Sequence, residues 1–429
     1  MPKLGELLRR LELCTQLKHE YGSQGMAPVL RRARGNLGAA LREVMALPID
    51  ARLAQREPNS LVGIRKLRPR GPRRLWKSFD TQAYRERVEG ALFARMAGCT
   101  LGAIVEGWSI QDMKQWATEI GDPFPPTRYW SRARFPSLLR YGKSRCDAYT
   151  RAAMNGAPVD DDIAYTLLGL LIVEEFGPNF TMEDVGKAWL KYLPMACTAE
   201  KVALDNLKAG VPAGRTAEKD NPYVQWIGAD IRSDPWGYLA PGWPEKAAEM
   251  AYRDAYVSHR RNGIYGEMFF AAAISAAFAV DDSVEAIQIG LTEIPRKCRL
   301  AQDVRWALRV GRQIRNYRDA RAAVDERFRG MHLVHTNNNA CLTIFGLMIG
   351  GKDVTRVLSE TVAMGMDNDC TTATAGSLLG AIVGKKGVPR RWHAKFNDTV
   401  YSYLIGKPRF RISDLVARFT EQARAISAT

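Results

Sequence analysis

Residues 363–383, AMGMDNDCTTATAGSLLGAIV, constrain this chain more than any other stretch. Small residues at Ala373, Ala375, Gly376, Gly380 and Ala381 suit a helix pressed close against its neighbours. Just ahead of that helix, after a turn at Gly365, stand Asp367 and Asp369. Within a helix, side chains at i and i+2 diverge, but in a loop leading into one both can aim at a single point. The helix N-terminus carries partial positive charge that favours carboxylates beside it. Oxygen ligands gathered in this way suit a hard divalent cation. Asp and Asn ahead of a helix are also ordinary capping residues, and this stretch alone leaves both readings open.

Composition narrows the class. A chain of 429 residues can bury a large core in one to three domains. No run of about 18 apolar residues occurs, so no membrane-spanning helix is expected. Charges scattered through MPKLGELLRRLELCTQLKHEYG leave no signal-peptide core. Cys14, Cys99, Cys146, Cys197, Cys298, Cys341 and Cys370 are odd in number and never in C-x-x-C spacing. That usage argues for a reducing compartment, without a disulfide framework or structural zinc, and the chain is read as cytoplasmic. The formal net charge of +16 is unevenly spread: residues 1–85 hold 18 Lys and Arg against 7 Asp and Glu. Such a bias points to an anionic partner, nucleic acid among the candidates, or to a solvated basic face.

Taken in order, residues 1–45 show two amphipathic helices separated by Gly22 to Pro28, with Leu4, Leu7, Leu8 and Leu11 at helical spacing. Residues 58–77, PNSLVGIRKLRPRGPRRLWK, form a basic strap that Pro69 and Pro72 keep extended. Its apolar anchors Leu67, Leu75 and Trp76 favour wrapping of the core slightly over phosphate contact. Tyr84 to Val105 reads as a helix rich in small residues that ends on Glu106, a carboxylate placed for a site or for a structural arginine. In VDDDIAYTLLGLLIVEEFG, Asp160, Asp161 and Asp162 open an apolar helix running to about Phe176. Adjacent carboxylates repel one another unless solvent or a cation relieves them, although the helix dipole offers some compensation. The stretch 197–257 is an insertion rich in aromatics, with Tyr223, Trp226, Trp236, Tyr238 and Trp243. These rings stack on bases or sugars, or fill irregular structure. An Asn-Gly loop precedes a buried helix from about Glu267, two helices follow over 283–325, and Asn337 to Asn339 lead another apolar helix. No period-2 strand stands out, so the fold class is all-α. Glycine-rich nucleotide loops, the G-x-S-x-G elbow and H-E-x-x-H are absent, and five scattered histidines make no metal cluster.

Four loops at the edges of apolar helices carry the uncommon chemistry: Glu106, Asp160 to Asp162, Asn262 to Glu267, and Asp367 with Asp369. In a helix bundle such ends can converge on one carboxylate site. The order GCTLGAIVEGW, DDDIAYT, RNGIYGEM, GMDNDCTTATAGSLLGA resembles the ADP-ribosylglycohydrolase family over roughly residues 86–405. The resemblance implies an all-α orthogonal multi-helix bundle, taken here as a domain over 86–429, and the charge and helical spacing of residues 1–85 set them apart as a basic helical extension and strap. It also implies two divalent cations, usually magnesium or manganese, in a cleft that takes an ADP-ribosylated substrate.

Carried over residue by residue, the family's T-D-D motif falls on Asp160, Asp161 and Asp162, with aspartate in place of threonine. Its D-x-D-T/S motif falls on Asp367, Asp369 and Cys370, with a thiol in place of the hydroxyl ligand. The glutamate after the first glycine-rich helix is Glu106, and the G-N-G loop falls on Arg261, Asn262 and Gly263. Glu106 and Asp161 are the expected general acid or base. Asn262, Gly263, Glu267 and Asn339 are the expected substrate contacts. A thiol is a poor ligand for magnesium, so one firm site is expected, with a second weaker or manganese-preferring. The implied reaction is hydrolysis of an N- or O-glycosidic bond at C1 of a ribose, with release of ADP-ribose from a protein, small-molecule or nucleic-acid acceptor. The alternatives are hydrolysis of another ribofuranoside and a non-catalytic ADP-ribose-binding role.

Overall fold

The computed structural model describes residues 4–32 and 36–428. Its centre is a pair of helices, Thr81–Ala103 and Asn368–Gly387. The first is capped by Asp80, whose side chain accepts from the amides of Gln82 and Ala83. Glycine and alanine faces let the two backbones touch. A Cβ added at Gly102 would strike the backbone of Asp369, one at Gly98 that of Thr372, and one at Gly380 that of Gly90. Those pairings run in opposite directions along the chain, so the helices are antiparallel. The C-terminal end of one, and Glu106 just beyond it, therefore meets the N-terminal end of the other, with Asp367 and Asp369.

The neighbours are helices apolar on every side, the pattern of a fully buried helix. Asp161–Phe176 is buried from Asp162 to Val173, and Asn262–Ala277 along its entire length. Thr336–Gly350 and Val354–Ala363 close the core behind them. The family fold class expected from the sequence holds: the chain is all-α, with two short antiparallel pairs added. One joins Leu139–Arg140 to Ser144–Arg145, the other Thr399–Tyr401 to Arg409–Arg411. At two or three residues per strand these are too short to show a period in the sequence. Residues 283–325 hold three helices, Ser283–Gly290, Arg299–Val310 and the start of Tyr317–Arg327, where the sequence suggested two. No helix among the described residues is long and apolar enough to cross a membrane.

The N-terminal residues form Leu4–Glu20, Met26–Arg32 and Leu37–Ala46, one helix more than expected because Asn36 caps a new start through Ala39 N. Leu11, Cys14, Val29, Ala40 and Val44 give them a small core of their own. The strap is partly helical: Ser60 caps Leu61–Leu67, and the prolines act only after Arg68 turns extended. Arg68 and Arg73 are half-buried, while Arg65, Lys66, Arg70, Arg74 and Lys77 are exposed. Arg65 pairs with Glu249 at 2.7 Å, Arg68 and Arg73 each reach Glu293 at 2.5 Å, and Arg74 lies 4.1 Å from the Trp243 ring. Leu75 N and Trp76 N donate to Gly242 O at 2.6 and 3.1 Å. The strap thus wraps the body, with Arg65, Arg68 and Arg73 paired to acids beneath it.

Candidate metal centre

The Asp160 backbone is extended, and its side chain caps the helix behind it by accepting from Asp162 N at 3.2 Å. Asp162, one residue into the helix, is fully buried. Arg95 of the Thr81–Ala103 helix fixes it, donating to its carbonyl at 2.8 Å and pairing with its carboxylate at 3.4 Å. Opposite, the chain turns through two successive left-handed residues, Gly365 (φ 71°) and Met366 (φ 62°). Such backbone suits glycine and costs a methionine strain. Met366 O accepts from Gly107 N at 3.0 Å, and Asp367 N donates to Asn339 Oδ1 at 3.3 Å. Held in this way, Asp367 and Asp369 face the aspartate run. Ligand-type atoms of Asp162, Asp369 and Cys370 lie within 4.8 Å of one another, as do those of Glu106, Asp367 and Asp369, and those of Cys99, Asp160 and Asp162.

One cation of the chain already enters this ring. Arg140 donates to Glu106 at 2.9 Å, Asp160 at 3.0 Å and Asp369 at 3.1 Å, and to the Ala103 carbonyl. The adjoining Tyr141 hydroxyl donates to Asp161 Oδ1 at 2.7 Å. Three oxygens still accept nothing: Asp162 Oδ2, Asp367 Oδ1 and Asp369 Oδ1, all buried. Buried carboxylate oxygens are ordinarily hydrogen-bonded or ligate a metal.

The electrostatics express the same deficit. Burial, then the charge of Asp160, pushes Asp161 up to about 7. Burial, then Glu106, pushes Asp367 up to about 7. Asp162 and Asp369 are raised further, first by burial, with Arg95 lowering the one while Glu106 and Asp367 raise the other. The Cys370 thiol is raised by burial and by Asp162, which keeps it protonated. Crowded anions therefore hold protons until a cation replaces them.

The sequence profile of the ADP-ribosylglycohydrolase family matches residues 80–425, taking in every element that builds this centre. The chain belongs to the ADP-ribosylglycohydrolase family. A solved structure titled "ADP-ribosylglycohydrolase-related protein complex" superposes with a TM-score of 0.51 at 17% identity, covering 81% of this chain and 99% of that one. That likeness concerns the fold. A comparison with curated proteins finds no match.

In this glycohydrolase-family chain Glu106, Asp160, Asp161, Asp162, Asp367, Asp369 and Cys370 all come to one cluster. The residues expected to contact substrate are distributed differently. Asn339 serves the centre indirectly, by holding Asp367 N. Asn262 is buried and donates to Glu57 at 3.1 Å and Gln225 at 2.9 Å, while its oxygen accepts from Leu300 N at 3.0 Å. Gly263 is buried against Val224 and His259. Glu57, from the N-terminal extension, also pairs with Arg261, and Asn59 Oδ1 accepts from Arg261 N at 2.8 Å, so the extension covers this loop. Glu267 lies in a separate network, bonded by Arg232 at 3.3 Å and Trp236 at 2.8 Å.

Sequence reasoning did not single out Arg140, Tyr141, Arg95 or Asp230. Asp230 is buried beside Gly266, and its charge raises no signal within an aromatic insertion. The structural arginine left open for Glu106 is Arg140. The insertion's rings pack rather than project: Trp236 and Tyr238 are buried, and Trp226 stacks on His332 at 4.1 Å.

Proposed function

We propose that this protein is a metal-dependent hydrolase that cleaves the glycosidic bond between ADP-ribose and an acceptor. The observation that carries the reading is the trio of buried, partnerless oxygens on Asp162, Asp367 and Asp369. All-oxygen donors with a thiol at the edge fit magnesium or manganese, and these three residues would hold the ion. A divalent cation bound there supplies a polarised water and a grip on ribose hydroxyls.

The chain's own groups account for the rest. Asp161, raised to about 7 and steadied by the Tyr141 hydroxyl, is matched to proton transfer near neutral pH. Glu106, half-exposed at the rim, is the other proton carrier, and its pairing with Arg140 fixes where it stands. The remaining carboxylates oppose the positive charge that builds on the ribose ring as the bond breaks. Asn339 and the turn at Met366 hold the aspartates in register.

The test is release of ADP-ribose, with and without magnesium or manganese, from ADP-ribosyl-arginine and from ADP-ribosylated nucleic acid, with free nucleosides alongside. Metal-dependent release is expected, lost in Asp369→Ala while the helical circular dichroism stays intact. Turnover retained by that variant would remove the reading. A second reading, binding without turnover, is favoured by the Arg140 guanidinium inside the carboxylate ring and by Cys370 at the hydroxyl position. Saturable ADP-ribose binding with no release from any acceptor would select it.

A further inference from the structure

Arg140 stands on a turn built to deliver it. Between the strands Leu139–Arg140 and Ser144–Arg145, Tyr141 (φ 50°) and Gly142 (φ 64°) both take left-handed backbone. That is natural for the glycine and strained for the tyrosine, so contacts outside the turn must hold it. Ser144 Oγ accepts from Val159 N at 3.1 Å, and the Tyr141 hydroxyl bonds Asp161, tying the turn to the aspartate run. The guanidinium lies beside two rings, 5.3 Å from the centroid of Tyr141 and 5.8 Å from that of Tyr149.

The acceptors around it are the oxygens a hard cation takes: one carbonyl, Ala103, and three carboxylates, Glu106, Asp160 and Asp369. Asp369 divides its oxygens. Oδ2 faces Arg140 at 3.1 Å, while Oδ1 is buried and partnerless. The other two partnerless oxygens belong to Asp162 and Asp367, whose ligand-type atoms lie within 4.8 Å of those of Asp369.

Given the divalent-metal reading above, we propose that Arg140 is a tethered cation filling one of two cation positions. The chain then binds a single divalent ion, coupled to Arg140 through the two oxygens of Asp369. A guanidinium has donors on fixed vectors, cannot dissociate, and leaves no open position for water or substrate. It supplies one charge where an ion supplies two. On this account Arg140 limits the ion count, and the Cys370 thiol does not.

The experiment is titration of the metal-free full-length chain with manganese, followed calorimetrically and by the paramagnetic signal of the free ion. Wild type is expected to take one ion, Arg140→Met two, and Cys370→Thr still one. Should the methionine variant fail to fold, Arg140→Gln keeps a polar group of similar reach without the charge, and it too is expected to take two. Two ions in wild type, one in the Arg140 variants, or a second ion gained by Cys370→Thr alone would each overturn the proposal. No ion in wild type or in any variant would remove the metal reading itself, and the proposal with it.

Discussion

Arg232 and Arg140 are each ringed by three carboxylates from separate elements, yet only one of the two rings closes. Arg232 meets Glu200 at 2.6 Å, Asp254 at 2.5 Å and Glu267 at 3.3 Å, with Ser258 Oγ at 3.0 Å. Neither it nor those three carboxylates has a buried polar atom left without a partner. Burial, then the nearby Asp254, pushes Glu267 well above the usual carboxylate range, so a proton relieves the excess negative charge. At Arg140 the same ingredients leave its partner Asp369, and Asp162 and Asp367 grouped with it, each with an unmet buried oxygen. A buried ion network that satisfies itself fixes structure, whereas one that stops short is prepared for something from outside. The physical difference is solvent access: Arg232 is shut in by Trp189 and Tyr165, while Glu106, 46% exposed, opens the other ring to the surface.

Breaking the closed ring should have the largest effect. Arg232→Met strips the cation that pairs with Glu200, Asp254 and Glu267 and should cost about 3–5 kcal/mol of stability, read as a fall in melting temperature. A variant that melts like wild type would erase the distinction drawn between the rings. Next comes the helix contact that aligns the open ring. Gly102→Ala forces Asp369's backbone away and should cost about 1–3 kcal/mol, with weaker manganese binding measured alongside the melt. Unchanged metal affinity in that variant would show that the Thr81–Ala103 helix does not set the position of Asp369.

The smallest effect is the response to pH. Asp367, raised to about 7, must lose its proton to accept a cation, so metal affinity should fall as pH drops below about 7. Each displaced proton should weaken binding roughly tenfold per pH unit, or about 1.4 kcal/mol. The metal-free protein should behave in the opposite sense. Its folded carboxyls bind protons more tightly than the unfolded ones, so stability should decline as pH rises from about 4 through about 7, where Asp161 and Asp367 lose their protons, and go on declining above it as Asp162 and Asp369 lose theirs. Metal affinity that is flat across that window would mean the open ring is already neutralised.

Much of this centre was legible because its chemistry is local. Asp160 to Asp162 and Asp367 with Asp369 each sit within three residues at a helix start, and the small residues of two helices announced their close approach. Arg140 gave no such sign. It lies 229 residues from Asp369, on a two-residue strand in a stretch that reads simply as polar. Glu57 covers Asn262 across 205 residues, a contact that no periodicity encodes. Glu267 shares a motif with Asn262, but five residues turn a helix by about 140°, which points the two side chains into different networks.

The order of motifs, read alone, determined the helical class and the family, and it named the seven ligand-type residues of the cluster. Those depend on side-chain identity and on spacing within a single helix turn. Tertiary structure decided what enters the cluster and what covers the Asn262 segment. Arg140 enters the carboxylate ring, and the N-terminal extension seals the Asn262 loop, through contacts between segments far apart in the chain. Burial by those distant segments sets how many carboxylate oxygens are satisfied, and so where a cation is still needed.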